Sequence, residues 1–188
     1  MKKLNLLFTA LLLMCCVGNA KAEEATIDGI KYNVITKAKQ ATVINGGSYS
    51  GNIVIPSEIT YNNVTCNVTS IGNDAFYSCS GLTSIEIPGS VTSIGDWAFR
   101  SCSCLTSVTS LATTAPALGS GVFSYISSDA TLYYPAGSDY SSWAQYFANT
   151  EEITEEFPEE EEVFGDLNGD GTVSVSDIQV LVNIILGN

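Results

Sequence analysis

Residues 68–90, VTSIGNDAFYSCSGLTSIEIPGS, and residues 91–113, VTSIGDWAFRSCSCLTSVTSLAT, align without a gap and are identical at 13 of 23 positions. A unit of that size cannot bury an apolar face by itself, so a fixed period predicts a solenoid in which each rung stacks on its neighbour. The shared positions, Ile71/Ile94, Gly72/Gly95, Ala75/Ala98, Phe76/Phe99, Cys79/Cys102 and Leu82/Leu105, then form ladders along a common core. The variable positions, Asn73, Asp74, Tyr77 and Glu86 against Asp96, Trp97, Arg100 and Thr109, fall to the surface. Among them Tyr77, Trp97 and Arg100 are the solvent-side residues with the most binding chemistry, since aromatic and arginine side chains dominate recognition energetics.

Within one rung Ile85-Glu86-Ile87 alternates as a strand does, and Pro88-Gly89 turns the chain. The stretch 74–79 places Ala75, Phe76 and Cys79 at i, i+1 and i+4, a spacing that suits one helical turn. The run Ser-Ile-Gly-x-x-Ala-Phe-x-x-Cys-x-x-Leu-x-x-Ile-x-Ile-Pro, complete from Ser70 to Pro88, resembles the BspA-like bacterial leucine-rich repeat; the second copy departs at its end, where Ser110-Leu111 replaces Ile-Pro. The resemblance extends over residues 27–147 and implies a mainly β chain with short helices, a leucine-rich-repeat solenoid. Residues 23–67 read as an amino-terminal cap and first rung, with a hairpin at Ile27-Asp28-Gly29-Ile30 and a rung ending at Ile53-Val54-Ile55-Pro56. Residues 68–150 hold the repeats and a carboxy-terminal cap, in which Gly121-Val122-Phe123, Leu132-Tyr133-Tyr134 and the stretch 140–147 supply a closing rung and short helix. Its aromatics are expected to seal the solenoid end, with sugar stacking by Trp143 or Tyr133 as the alternative.

Four cysteines lie beyond residue 22: Cys66, Cys79, Cys102 and Cys104. Cys79 and Cys102 lie one period apart, hence roughly 4.8 Å apart in adjacent rungs, a separation that a disulfide can bridge. The repeat family implies instead a ladder of buried thiols beneath Phe76 and Phe99.

Residues 166–177, Asp-Leu-Asn-Gly-Asp-Gly-Thr-Val-Ser-Val-Ser-Asp, carry a second, unrelated pattern. Asp166, Asn168 and Asp170 stand at positions 1, 3 and 5 of a calcium loop, with Gly171 at the sharp bend. Thr172 supplies a backbone carbonyl, Ser174 a water and Asp177 the closing carboxylate. Gly165 to Gly171, then Ser176-Asp177-Ile178, Leu181 and Ile184-Ile185-Leu186-Gly187, resemble a type I dockerin repeat over residues 165–188, a small EF-hand-like loop and helix. That family ends the loop with Asp, as here, and its helix carries the face that meets a cohesin partner. Dockerins pair two such repeats, and one is seen in this sequence. The tail is expected to fold upon binding calcium, and the solenoid to fold regardless.

The first 22 residues order a basic Met1-Lys2-Lys3, an apolar run and a small-residue Ala20-Lys21-Ala22, as a secretory signal peptide does, with cleavage expected after Ala22. The apolar run is shorter than the ~20 residues that span a bilayer, and no other segment is apolar enough. Cys15 and Cys16 leave lipid attachment as an alternative. Without the leader four basic residues face twenty acidic ones, a net −16, which excludes electrostatic nucleic-acid binding. Residues 151–188 hold eight Glu and three Asp without a cation, so 151–164 reads as an extended acidic linker.

Histidine is absent, which removes Ser-His-Asp and Cys-His catalysis and the histidine-based zinc sites. An acid/base carboxylate pair would have to come from Glu58, Asp74, Glu86 and Asp96. The sequence thus describes a non-enzymatic, secreted or cell-surface binding or adhesion protein that takes a protein or glycan ligand on its repeat face. The alternative is a non-catalytic accessory component of an extracellular polysaccharide-degrading assembly, docked through the calcium tail.

Overall fold

In the computed structural model, which describes residues 21–154, the repeat is a two-strand rung. Residues 1–20 of the expected signal peptide (1–22), the acidic run from 155 and the expected calcium loop with Asp166, Asn168, Asp170, Thr172, Ser174 and Asp177 lie outside the described residues. The strands are β1 (Glu23–Ile27), β2 (Ile30–Ile35), β3 (Gln40–Val43), β4 (Ser50–Val54), β5 (Glu58–Tyr61), β6 (Val64–Ile71), β7 (Gly81–Ile87), β8 (Ser93–Ile94), β9 (Ser107–Ser110), β10 (Ala117–Leu118), β11 (Thr131–Pro135) and β12 (Asn149–Ile153). The one helix among the described residues, α1 (Ser141–Ala144), lies in the stretch expected to hold it.

Two sheets result. One runs β1-β2-β3-β6-β8-β10, with β5 attached to β6; the other runs β12-β11-β9-β7-β4. Every pairing within the second sheet is parallel, and β3, β6, β8 and β10 are parallel in the first. The register repeats the sequence period, with Ile71 opposite Ile94, and Ile53 opposite Ile85 opposite Val108. The described residues are therefore mainly β with almost no helix, and their core lies between the two sheets.

The expected hairpin at Asp28-Gly29 forms, with both residues at positive φ (50° and 81°), the geometry of a two-residue turn. A second hairpin, β5 to β6, turns on Asn62 and Asn63 at φ 50° and 60°. It was not foreseen, because an Asn-Asn turn between short, partly polar strands leaves a weak signal beside Asn-Gly or Asp-Gly. At the other end β12 pairs with β11 and takes Glu151, Glu152 and Ile153 into the sheet. Their main-chain bonds and the partly buried Ile153 outweigh the tendency of adjacent glutamates to stay extended in water.

Stretch 74–79 is not a helical turn. Asp74 and Ser78 take left-handed φ values of 55° and 57°, as do Trp97 and Ser101 in the next rung, and a left-handed residue every fourth position breaks any helix. Alternate amides leave the rung instead. The amides of Asp74, Phe76 and Ser78 donate to the carbonyls of Asp96, Ala98 and Arg100, at 2.7–3.0 Å. The Trp97, Phe99 and Ser101 amides donate in the same way to Ser120, Val122 and Ser124. The intervening amides close i to i−3 turns, so Ala75, Phe76 and Cys79 still point inward, which is what the spacing had registered.

Phe76, Phe99 and Phe123 stack through the core with centroids 5.0 and 5.4 Å apart and planes within 9°. Tyr49 meets the first of them, and Trp143, Tyr146 and Phe147 close over the last, so the cap aromatics seal the end as expected. Trp143 is fully buried and its indole N–H donates to the Pro116 carbonyl at 3.0 Å, which removes it from sugar stacking. Cys66, Cys79 and Cys102 are buried free thiols and Cys104 is exposed. The Cys102 thiol donates to the Phe76 carbonyl at 3.1 Å.

Candidate functional site

The alternating turns form one edge of the solenoid, and their side chains divide by position. The inward ones build the aromatic ladder. The outward ones include Tyr77 (43% exposed), Trp97 (45%) and Tyr125 (71%), three of the five large apolar side chains left exposed among the described residues.

Trp97 and Tyr125 both occupy left-handed backbone positions, at φ 55° and 61°. The counterparts of Trp97 in the other rungs are Asp74 and Gly121, residue types that reach this conformation more easily, and those of Tyr125 are the smaller Ser78 and Ser101. A bulky aromatic at positive φ is uncommon and costs roughly 1–2 kcal/mol, and outliers of this kind concentrate at functional sites. Gly121 makes room for the first of them: a Cβ there would lie 3.0 Å from Trp97 Cδ1 and 3.3 Å from Nε1.

Arg100, the only arginine of the chain, lies between them. Its Cζ is 5.9 Å from the centroid of the Trp97 ring and 5.2 Å from that of Tyr125, within reach of cation–π attraction. The side chain is half-buried, and no carboxylate or carbonyl among the described residues accepts from its guanidinium. The edge thus offers two aromatic surfaces and a positioned, planar set of N–H donors. Asp74 and Asp96 share it; Asp96 Oδ1 accepts from the Ser120 amide at 2.6 Å, and Asn73 Oδ1 accepts from the Asp96 amide at 2.9 Å.

Of the residues singled out by sequence, Trp97 and Arg100 come together here, and Tyr77 occupies the position equivalent to Arg100 in the preceding rung. Tyr125 was missed. The third rung is one residue longer, with Phe123 24 positions after Phe99 instead of 23, so ungapped alignment does not place Tyr125; the stacked phenylalanines do.

The outer face of the parallel sheet carries polar rows, with Asn52, Ser84, Ser107, Thr131 and Asn149 in register, and Val54, Glu86, Thr109, Tyr133 and Glu151 beside them. The carboxylates weighed for acid/base work are dispersed: Glu58 is on β5 in one sheet, Glu86 on β7 in the other, and Asp74 and Asp96 are on the turn edge. Among the described residues no three Cys, Asp or Glu side chains converge as metal ligands, and no helix is long and apolar enough to cross a membrane.

Residues 33–166 match the model of the BspA type leucine rich repeat region, in six copies. Similar solved structures include a leucine rich cell surface protein from Faecalibacterium prausnitzii, 21% identical over 71% of this chain and 43% of that one, at a TM-score of 0.49. A leucine-rich repeat protein from Bacteroides capillosus is 22% identical over 60% of this chain and 99% of that one, at 0.44. Another, from Bacteroides ovatus, is 20% identical over 69% and 41%, at 0.46. The chain thus spans less than half the length of the Faecalibacterium and B. ovatus proteins. No curated protein matches by sequence.

Proposed function

The chain belongs to the BspA-type leucine-rich-repeat family, and from that premise we propose that it is an extracellular or cell-surface protein that binds a protein or glycan ligand through the turn edge of its solenoid. The observation that carries this reading is the placement of Trp97 and Tyr125. Two aromatic side chains are held toward solvent by backbone that disfavours them, on either side of the only arginine. Folding gains little from such an arrangement, whereas recognition gains large, rigid contact surfaces and a charged fork. A stacked solenoid also keeps the rungs in fixed order, so Tyr77, Arg100 and Tyr125, one from each of three successive rungs, are preorganised along the same edge.

The test is capture on arrays of matrix proteins and glycans by the full chain and by a Tyr77→Ala/Trp97→Ala/Tyr125→Ala variant with an unchanged melting curve. Loss of captured ligands in the variant supports the edge. Equal capture overturns it and directs the search to the polar rows of the parallel sheet.

The calcium-loop pattern favours a second reading for the tail. Asp166, Asn168, Asp170, Thr172, Ser174 and Asp177 have the residue types and offsets of a calcium site. In this reading the bound ion orders the following helix for a cohesin-like partner, and the protein is an accessory member of an extracellular polysaccharide-degrading assembly. A pull-down with residues 151–188, run with calcium and with chelator, tests it. A partner held only with calcium, and lost in Asp166→Ala/Asp170→Ala, supports docking; capture indifferent to both overturns it.

A further inference from the structure

We propose that the edge formed by Trp97, Arg100 and Tyr125 recognises a sugar acid, a pyranose carrying a single carboxylate within a glycan. The inference deepens the reading of this edge as the binding face and rests on it. The guanidinium carbon lies 5.9 and 5.2 Å from the centroids of two rings, and its N–H groups donate to no acceptor among the described residues. Cation–π attraction holds the group near the rings without using its N–H donors, which stay available for a ligand. A planar fork of this kind matches a carboxylate bidentately, and part of its rotamer entropy is already spent.

The surroundings favour a sugar over an acidic peptide. One cation serves this edge, while Asp74 and Asp96 lie on it, and residues 23–150 carry a net charge of −5. A run of carboxylates would meet repulsion, whereas one carboxylate on a neutral oligosaccharide would not. The same two aspartates can accept from ring hydroxyls. Trp97 and Tyr125, flat and exposed, offer apolar surface to the ring of the sugar.

Trp97 is also a built-in reporter, because the other tryptophan, Trp143, is buried at the cap. The full chain is titrated with neutral oligosaccharides bearing one glucuronate or one sialic acid, with the methyl esters of both, and with poly-glutamate. Tryptophan emission and calorimetry are followed together. The expected result is saturable binding of one or both acids, with the ester weaker by at least about tenfold. Arg100→Lys, which keeps the charge but not the fork, is expected to lose about the same factor. The glucuronate and sialate arms identify which sugar acid is preferred.

Equal affinity for acid and ester, unchanged affinity in Arg100→Gln, tighter binding of poly-glutamate, or no saturation by either acid up to about 10 mM would each overturn sugar-acid recognition. The underlying reading fails separately. If the array ligands still depend on Trp97 and Tyr125, the edge binds something other than a sugar acid; if they do not, the edge is not the binding face.

Discussion

At the scale of single residues, the same rung holds side chains with opposite expected effects. Phe99 is stacked between Phe76 and Phe123 and fully buried, so Phe99→Ala should cost about 3–5 kcal/mol in denaturant unfolding. Tyr125, two residues after Phe123, is largely exposed at positive φ. Tyr125→Asn places there a residue that tolerates the left-handed region, and should leave stability unchanged or raise it by up to about 1 kcal/mol while weakening capture. A large loss of stability in that variant would show that Tyr125 is a packing residue. The core half of this contrast was legible beforehand because Phe76 and Phe99 repeat. The surface half was legible only for Trp97 and Arg100; their backbone strain and the place of Tyr125 depend on turns that periodicity does not specify. The buried thiol and phenol add a pH dependence. Burial, then the neighbouring Cys79, push the Cys102 thiol from 9.0 up to about 12, and burial, then Tyr49 and Asp28, push Tyr32 from 10.0 up to about 12. Below pH 9 both groups are protonated whether the chain is folded or not, and their contribution is fully present. From about pH 9 upward the unfolded chain releases protons that the folded one keeps, so stability should fall as pH climbs toward 12. Unfolding midpoints measured from pH 8 to 11 check this, and a flatter profile in Cys102→Ala would assign part of it to the thiol.

At the scale of elements, stacking depends on close backbone approach at one glycine per rung. A Cβ on Gly95 would lie 2.6 Å from the Asn73 nitrogen and 2.8 Å from the Gly72 carbonyl carbon; one on Gly119 would meet Asp96 and Gly95 at the same distances. These are backbone atoms of the neighbouring rung, which cannot move without breaking the bonds from Gly95 to Ile71 and from Gly119 to Ile94, both 2.8 Å. Gly95→Ala should therefore cost at least about 3 kcal/mol, near the upper end for overpacking. Gly89→Ala, whose tightest contact is 3.1 Å to the Leu111 carbonyl oxygen, should cost less. Thermal melts of the two variants decide it; equal, small losses would mean that the rungs can slide apart. The sequence marked Gly72 and Gly95 as invariant positions, and the structure supplies the reason. The turn edge was harder to read, since an i, i+1, i+4 apolar spacing fits a helical turn and an alternating chain of turns equally well, and only inter-rung hydrogen bonding separates them.

At the scale of the whole molecule, the two ends of the chain answer to different forces. The solenoid is held by burial between two sheets and by rung-to-rung hydrogen bonds, and neither involves a metal among the described residues. The run 151–188 has a formal charge of −11, and the proposed calcium site would need a cation to offset the carboxylates of its loop pattern. Calcium should therefore act on one end. In the full chain, added calcium is expected to bind with a stoichiometry of about one and to increase helical circular dichroism, while the unfolding transition of the β solenoid stays where it is in chelator. Asp166→Ala/Asp170→Ala should abolish the heat of binding and the helical increment and leave that transition unchanged. A shift of the solenoid transition with calcium, retained in the double variant, would place a cation site in the repeats instead. A shift lost in the double variant would mean that calcium bound at the loop also stabilises the solenoid, against the independence of the two ends.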